Sequence, residues 1–216
     1  MKYNTVIFDM DGTLLNTLED LGDSVNYALR QFGMPEITYA QAASYIGNGV
    51  ARLVALSMEG GTENPRYDEV FAVFVEHYSE HCRDKTRPYD GMLDLLAKLR
   101  EKGYKTAVVS NKFDEAVKEL AEYHFAGLLP VAIGETKEIR RKPAPDTVIQ
   151  ALKELNSTVE ESVYIGDSEV DIMTAKNSNM DCISVTWGFR SREELIESGA
   201  TVLIDTMDEL MALLGV

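Results

Sequence analysis

The sequence predicts an α/β protein, an open parallel sheet interrupted after its first strand by an all-α insertion. Three observations carry this. From about Lys105 onward, short β-prone runs alternate with helical patterns, the order that yields parallel strands joined by crossover helices. Residues from Asn16 to Arg87 break the alternation and show no strand of their own. Thr5-Val6-Ile7-Phe8, although it precedes that interruption, matches the later strands in composition.

The elements follow in order. After the first strand, Leu18, Leu21, Val25, Ala28, Leu29 and Phe32 recur at helical spacing. Ala51, Leu53, Val54 and Leu56 suggest a second helix, and Phe71, Phe74, Val75 and Tyr78 a third, with Gly60-Gly61 and Pro65 marking a loop between them. The joins fall near Asn16-Thr17 and Thr86-Arg87-Pro88-Tyr89, so residues 16–87 form the insertion and residues 1–15 with 88–216 the α/β core. Met92, Leu95, Leu96 and Leu99 mark a helix before the strand Thr106–Val109. Helices are expected over Phe113–His124, Asp146–Leu155 and Glu169–Ser178, and strands over Val131–Ile133, Ser162–Ile165, Cys182–Val185 and Thr201–Ile204.

The 216 residues carry a net charge of −15. Nucleic acid and anionic membrane, which need cationic surfaces, are therefore not expected as partners. A small phosphorylated metabolite is not excluded, because charges beyond about 8 Å are screened and the local field decides. Cys82 and Cys182 are the only cysteines and lie far apart, which rules out a cysteine framework and fits a reducing cytoplasm. The start, Met1-Lys2-Tyr3-Asn4-Thr5, lacks the apolar stretch of a signal peptide, and no run approaches the length of a membrane span. Oligomeric state is not legible here.

The chemistry begins where the first apolar run ends, at Asp9-Met10-Asp11-Gly12-Thr13. Two acids at i and i+2 lie on one side of an extended backbone. Their mutual repulsion is relieved if a divalent cation and a phosphoryl group stand in front of them; the plainer alternative is an acidic turn stopping the strand. Ser110-Asn111-Lys112 follows the next strand, and Gly166-Asp167-Ser168-Glu169-Val170-Asp171 follows another. Ligands of open α/β sheets bind beyond the carboxyl ends of the strands, so these clusters are expected to converge. Arg140-Arg141-Lys142-Pro143-Ala144-Pro145-Asp146 supplies a fourth piece, its prolines favouring an extended approach and a stiff helix start.

In this order, Asp9-Met10-Asp11-Gly12-Thr13, Ser110, Lys142 and Gly166-Asp167 with Asp171 resemble the haloacid dehalogenase superfamily of phosphohydrolases, over essentially the whole chain. Ile46-Gly47-Asn48-Gly49-Val50 and Trp187-Gly188-Phe189-Arg190 resemble its phosphoglycolate phosphatase branch. The resemblance implies a Rossmann-like core with a helical cap and a Mg²⁺-dependent phosphomonoester hydrolase. Asp9 would be the nucleophile and Asp11 the general acid and base, a role that typically contributes about 10²–10⁴-fold. Ser110 would bind a phosphoryl oxygen, and Lys142 would neutralise charge. Asp167 would hold Mg²⁺ with Asp9 and the backbone carbonyl of Asp11, and Asp171 would act through water. Thr13, Asn111, Gly49 and Arg52 are the expected substrate contacts, although Asn111 and Lys112 could equally cap the next helix. Four acids against Lys142 repel a dianionic phosphate unless a divalent cation intervenes.

Pyrophosphate, nucleotides and sugar phosphates remain open as substrates, as does a β-phosphoglucomutase-like transfer. A dehalogenase has no use for Asp11. A phosphonoacetaldehyde hydrolase needs a lysine early in the cap, where residues 16–30 have none. A receiver-like phosphoacceptor module shares an aspartate, a hydroxyl and a lysine, but is shorter and draws its acid pair and its phosphoacceptor from different strands.

Other features carry two readings each. The Gly47-Asn48-Gly49 segment is either a turn with Asn48 in the left-handed region or a substrate loop that leaves Arg52 available to an anion. His77 and His81, beside Cys82, have zinc spacing without a further ligand, so an exposed helix face is expected. Trp187-Gly188-Phe189-Arg190 is either part of the site or a glycine turn packing two aromatics. Lys137, Arg140 and Arg141 read as a solvated basic patch. Asn16-Thr17 stands where Asp-Ser is often found, at the hinge of the insertion.

Overall fold

The computed structural model describes residues 3–216. Met1 and Lys2, read above as leading into the first strand, lie outside the described residues. The chain divides into two compact units, one holding the residues up to Leu15 together with Pro88–Val216, the other Asn16–Arg87.

Strand β1 (Thr5–Phe8) is buried at every residue, as a strand covered on both faces must be. The chain leaves the first unit through β2 (Leu15–Asn16). The second unit is helical, with α1 (Leu18–Gln31), α2 (Tyr39–Tyr45), α3 (Val50–Leu56) and α4 (Tyr67–His81). Helix α1 buries Leu21, Val25, Ala28 and Leu29 and packs on α4, which buries Val70, Phe74 and Tyr78. Burying each such aliphatic or aromatic side chain stabilises by about 1.5–3 kcal/mol. Helix α2 was not expected, because it buries only Ala42 and carries no apolar stripe. Its readable signal is the capping box, in which Thr38 Oγ1 accepts from the Gln41 N–H at 3.2 Å and Gln41 Oε1 accepts from the Thr38 N–H at 2.9 Å. Asp20, buried in α1, accepts from the backbone N–H groups of Lys85 and Thr86 at 3.0 and 2.8 Å, tying the end of this unit to its first helix.

One expectation for this unit changes. Gly47 and Gly49 adopt φ values of +119° and +83°, and Asn48 is not in the left-handed region; the glycines, which have no Cβ, absorb the turn. His77 Nδ1 meets Ser24 Oγ at 3.0 Å and His81 Nδ1 meets Asp84 Oδ2 at 2.7 Å, with the two rings stacked. These local partners account for both histidines, and no metal-binding group of three around them exists among the described residues.

The chain returns through β3 (Arg87–Pro88) and α5 (Met92–Glu101) to β4 (Lys105–Phe113). There follow α6 (Asp114–Phe125), β5 (Val131–Glu135), α7 (Asp146–Leu155), β6 (Ser162–Gly166), α8 (Glu169–Asn177), β7 (Asp181–Val185), α9 (Arg192–Glu197), β8 (Leu203–Ile204) and α10 (Met207–Leu214). The sheet runs β5-β4-β1-β6-β7-β8, and every pairing in it is parallel. This is the open parallel sheet the alternation predicts. Ile7, Ala107, Val109, Ile133 and Tyr164 share one core cluster with Val148, Ala151 and Leu152 of α7. Phe8 is level with Val108 on one side and Ile165 on the other, so the segments after β4, β1 and β6 emerge side by side at one edge. No helix of the described residues is long and apolar enough to cross a membrane.

Candidate active site

Strand β1 stops at Phe8 rather than carrying both acids. Asp9 keeps a strand-like bond, its N–H donating to Ile165 O at 2.8 Å, but the N–H groups of Leu14 and Leu15 fold back onto Met10 O at 3.0 and 2.9 Å. Regular strand pairing therefore ends before Asp11. Asp9 is buried and Asp11 partly exposed. Gly12 makes the turn possible: it has φ +89°, and a Cβ there would collide with Asp167.

The inward carboxylate meets Lys142. Lys142 Nζ donates to Asp9 Oδ1 at 2.6 Å, to Asp171 Oδ1 at 2.8 Å and to the Tyr164 hydroxyl at 3.1 Å. The Tyr164 hydroxyl donates in turn to Asp171 Oδ1 at 2.9 Å. The other oxygen of Asp171 accepts from the N–H and hydroxyl of Ser168 at 3.1 and 2.6 Å. Asp171 thus sits in the first turn of α8 as the acidic partner of its capping box. Asn111 Nδ2 donates to Lys142 O at 3.0 Å and so steadies the loop carrying the lysine.

Asn111 and Lys112 are strand residues, not helix caps. Strand β4 continues to Phe113 across a register shift after Val109, and α6 has no side-chain cap. Lys112 is buried, with Nζ 3.3 Å from Asp11 Oδ1. Ser110, also buried, accepts from the Lys112 N–H at 3.2 Å.

Asp167 is enclosed by backbone. Its Oδ2 accepts from the Phe189 N–H at 2.7 Å, and its Oδ1 lies 3.4 Å from the Thr13 hydroxyl. A Cβ on Gly188 would collide with it, as one on Gly166 would with Asp171. Trp187 Nε1 donates to Thr13 O at 3.1 Å. The Trp187–Arg190 loop is therefore built into the site rather than a simple aromatic turn, while Arg190 pairs with Glu169 at 2.8 Å. Arg140, exposed, pairs with Asp146 at 2.9 Å, as a solvated patch should. Gly49 is the residue before α3 and Arg52 an exposed residue of that helix; both belong to the second unit.

The electrostatics are those of buried carboxylates crowded around one ammonium. Burial, reinforced by Asp171, pushes the Asp9 carboxyl well above the usual range, with Lys142 opposing. Burial and then Asp171 push Asp167 up to about 7. Burial works against the Lys142 charge, yet Asp171 and Asp9 outweigh it and hold the ammonium above the ordinary lysine range. Burial and then Asp171 raise the Tyr164 phenol, which stays a neutral donor. Asp9, Asp167 and Asp171 each offer an oxygen, these atoms lying within 4.8 Å of one another. Buried oxygen donors crowded this closely fit a hard divalent cation. Asp171 already accepts four hydrogen bonds, the full capacity of a carboxylate, whereas among the described residues no hydrogen bond to Asp9 Oδ2 competes with an ion.

A buried carboxylate beside an ammonium, a second acid two residues on and a cation pocket form a set suited to phosphoryl chemistry. The family model of haloacid dehalogenase-like hydrolases matches residues 6–185, which span all of these groups. The chain belongs to the haloacid dehalogenase-like hydrolase family. Similar members include the phosphoglycolate phosphatase of Aliivibrio fischeri, 31% identical, covering 97% of this chain and 96% of the relative. That of Aquifex aeolicus is 30% identical, covering 85% of each. A Lactobacillus delbrueckii subsp. bulgaricus protein with a provisional phosphoglycolate phosphatase assignment has a crystal structure that matches with TM-score 0.95 at 43% identity, over 100% of both chains. This haloacid dehalogenase-like hydrolase is a phosphatase, and the family resemblance read from its motifs is borne out.

Proposed function

We propose that the protein is a Mg²⁺-dependent phosphomonoester hydrolase that works through an aspartyl-phosphate on Asp9, with small phosphorylated metabolites of the phosphoglycolate kind as substrates. The observation that carries this is the 2.6 Å contact between Lys142 and Asp9 at the carboxyl edge of the sheet. The ammonium favours the charged form of a buried carboxylate and sits where a transferring phosphoryl group needs positive charge.

A carboxylate oxygen of Asp9 attacks phosphorus as the bond to the leaving oxygen breaks. Asp11 protonates that leaving oxygen. Water then attacks the phosphorus of the acyl phosphate, Asp11 takes its proton, and the bond to Asp9 breaks, so that inorganic phosphate leaves and both carboxyls are regenerated. Ser110 donates to a phosphoryl oxygen. Asp9, Asp167 and the Asp11 carbonyl would hold Mg²⁺; Asp171, whose acceptor sites are filled, would reach it through water by giving up one of those bonds. When bound, the ion supplies the charge that admits a dianion among the carboxylates. Thr13 and Asn111 serve indirectly in this reading, through Asp167 and Lys142. Gly49 and Arg52 are read as contacts to the non-reacting end of the substrate. A reducing cytoplasm suits Cys82 and Cys182, neither of which is in a disulfide.

The test is a phosphate-release screen over small phosphorylated metabolites with magnesium, including 2-phosphoglycolate and pyrophosphate. Repeated turnover stopped by EDTA is expected. Slow, stoichiometric retention of phosphate would indicate a receiver, and transfer to a second sugar site would indicate a phosphomutase.

A further inference from the structure

We propose that Tyr164 is a positioning residue that, with Asp171, holds the Lys142 ammonium in place while Asp9 changes its charge. This rests on the reading of Asp9 as nucleophile. An ammonium has three hydrogens, and those of Lys142 are matched by Asp9, Asp171 and Tyr164 at 2.6, 2.8 and 3.1 Å. One of these anchors is temporary. When Asp9 becomes an acyl phosphate, its carboxylate charge is gone and its hold on Nζ weakens. Asp171 and Tyr164 undergo no such change.

The tyrosine suits this task for three reasons. Its hydroxyl accepts from Lys142 and donates to Asp171 Oδ1 at 2.9 Å, closing a triangle in which it uses its donor and an acceptor together. Its ring is fully buried in the core cluster with Ile7, Val109 and Val148, so the hydroxyl has no alternative position. Lys142 sits on the loop between β5 and α7; Asn111 steadies its backbone, but the ammonium ends a flexible four-carbon stem. Phenylalanine at position 164 would keep the packing but leave a buried N–H of Lys142 without its acceptor.

Tyr164→Phe is tested in two ways. With magnesium and the best substrate of the screen, kcat is expected to fall about tenfold, the usual consequence of one buried donor losing its partner, with KM nearly unchanged. On the metal-free protein, denaturation midpoints of the wild type, Tyr164→Phe, Lys142→Met and the double variant form a cycle. The loss in the double variant is expected to be smaller than the sum of the single losses, because both remove one contact; a purely packing role would give additive losses. Wild-type kcat in Tyr164→Phe, or additive midpoints, would overturn the proposal. If the wild type releases no phosphate from any substrate, the functional reading fails, and the cycle still decides whether Tyr164 holds Lys142.

Discussion

Lys142 Nζ and Asp9 Oδ1, 133 residues apart in the chain, meet at 2.6 Å in a buried ion pair. Removing one partner of such a pair leaves a charge without compensation, which typically costs about 3–5 kcal/mol. Lys142→Met is therefore expected to lower the denaturation midpoint of the metal-free protein clearly and to abolish phosphate release. Magnesium is expected to recover part of the stability but none of the activity. An unchanged midpoint would mean that the pair does not hold the site together.

Asp9→Asn removes a charge from a crowded set rather than a counter-charge. Turnover is expected to fall by at least about 10³-fold, as for loss of a nucleophile, with the metal-free melting temperature unchanged or raised. Phosphate-release assays and thermal denaturation check this, with intact mass excluding deamidation. Full activity would refute the nucleophile assignment.

For Asp11→Asn the expected signature differs. Proton transfer acts in the transition state, so kcat should drop about 10²–10⁴-fold with little change in KM. Steady-state kinetics would count against the role if kcat were preserved and KM rose instead.

The pH dependence follows from Asp167. Its folded carboxyl titrates near 7, against an ordinary value of 3.8. The native state binds more protons than the unfolded chain between these values, so this group's stabilisation is complete below the ordinary value and is lost as pH rises through about 7. Metal-free wild type should therefore lose more stability than Asp167→Asn between about pH 5 and about pH 8. Magnesium should cancel the difference, and EDTA restore it. Parallel pH profiles for the two proteins would contradict the assignment.

Arg52→Ala tests the exposed helix residue of the second unit. The specificity constant for substrates with a second anionic group is expected to fall about tenfold, the scale of one charge-assisted contact. If every anionic substrate keeps its wild-type value, Arg52 has no part in recognition.

The parts legible in the sequence are those with a local signature. The Val6–Phe8 run and the acids that follow it mark a buried strand opening into a polar site, and Asp167 repeats the pattern after Ile165. Tyr164 reads as one more apolar strand residue, because its hydroxyl acquires partners only when β6 lies beside β1 and a loop brings in Lys142. Lys112 reads as a cap of the next helix because the irregular extension of β4 that buries it leaves no trace in composition. Phe189 contributes a backbone N–H to Asp167, which no side-chain pattern can announce. The end of β1 before Asp11 is hidden for a related reason: alternation along a strand holds only where the strand continues, and Gly12 is the available clue that it does not.

The central claim is that Asp9 carries the phosphoryl group. The direct measurement is rapid acid quenching of the magnesium-loaded protein during turnover of its best substrate, followed by peptide mass spectrometry. A phosphate adduct on the peptide containing Asp9, absent in Asp9→Asn, is predicted. Sustained turnover with no adduct at the earliest quench times, or an adduct that persists in Asp9→Asn, would contradict it.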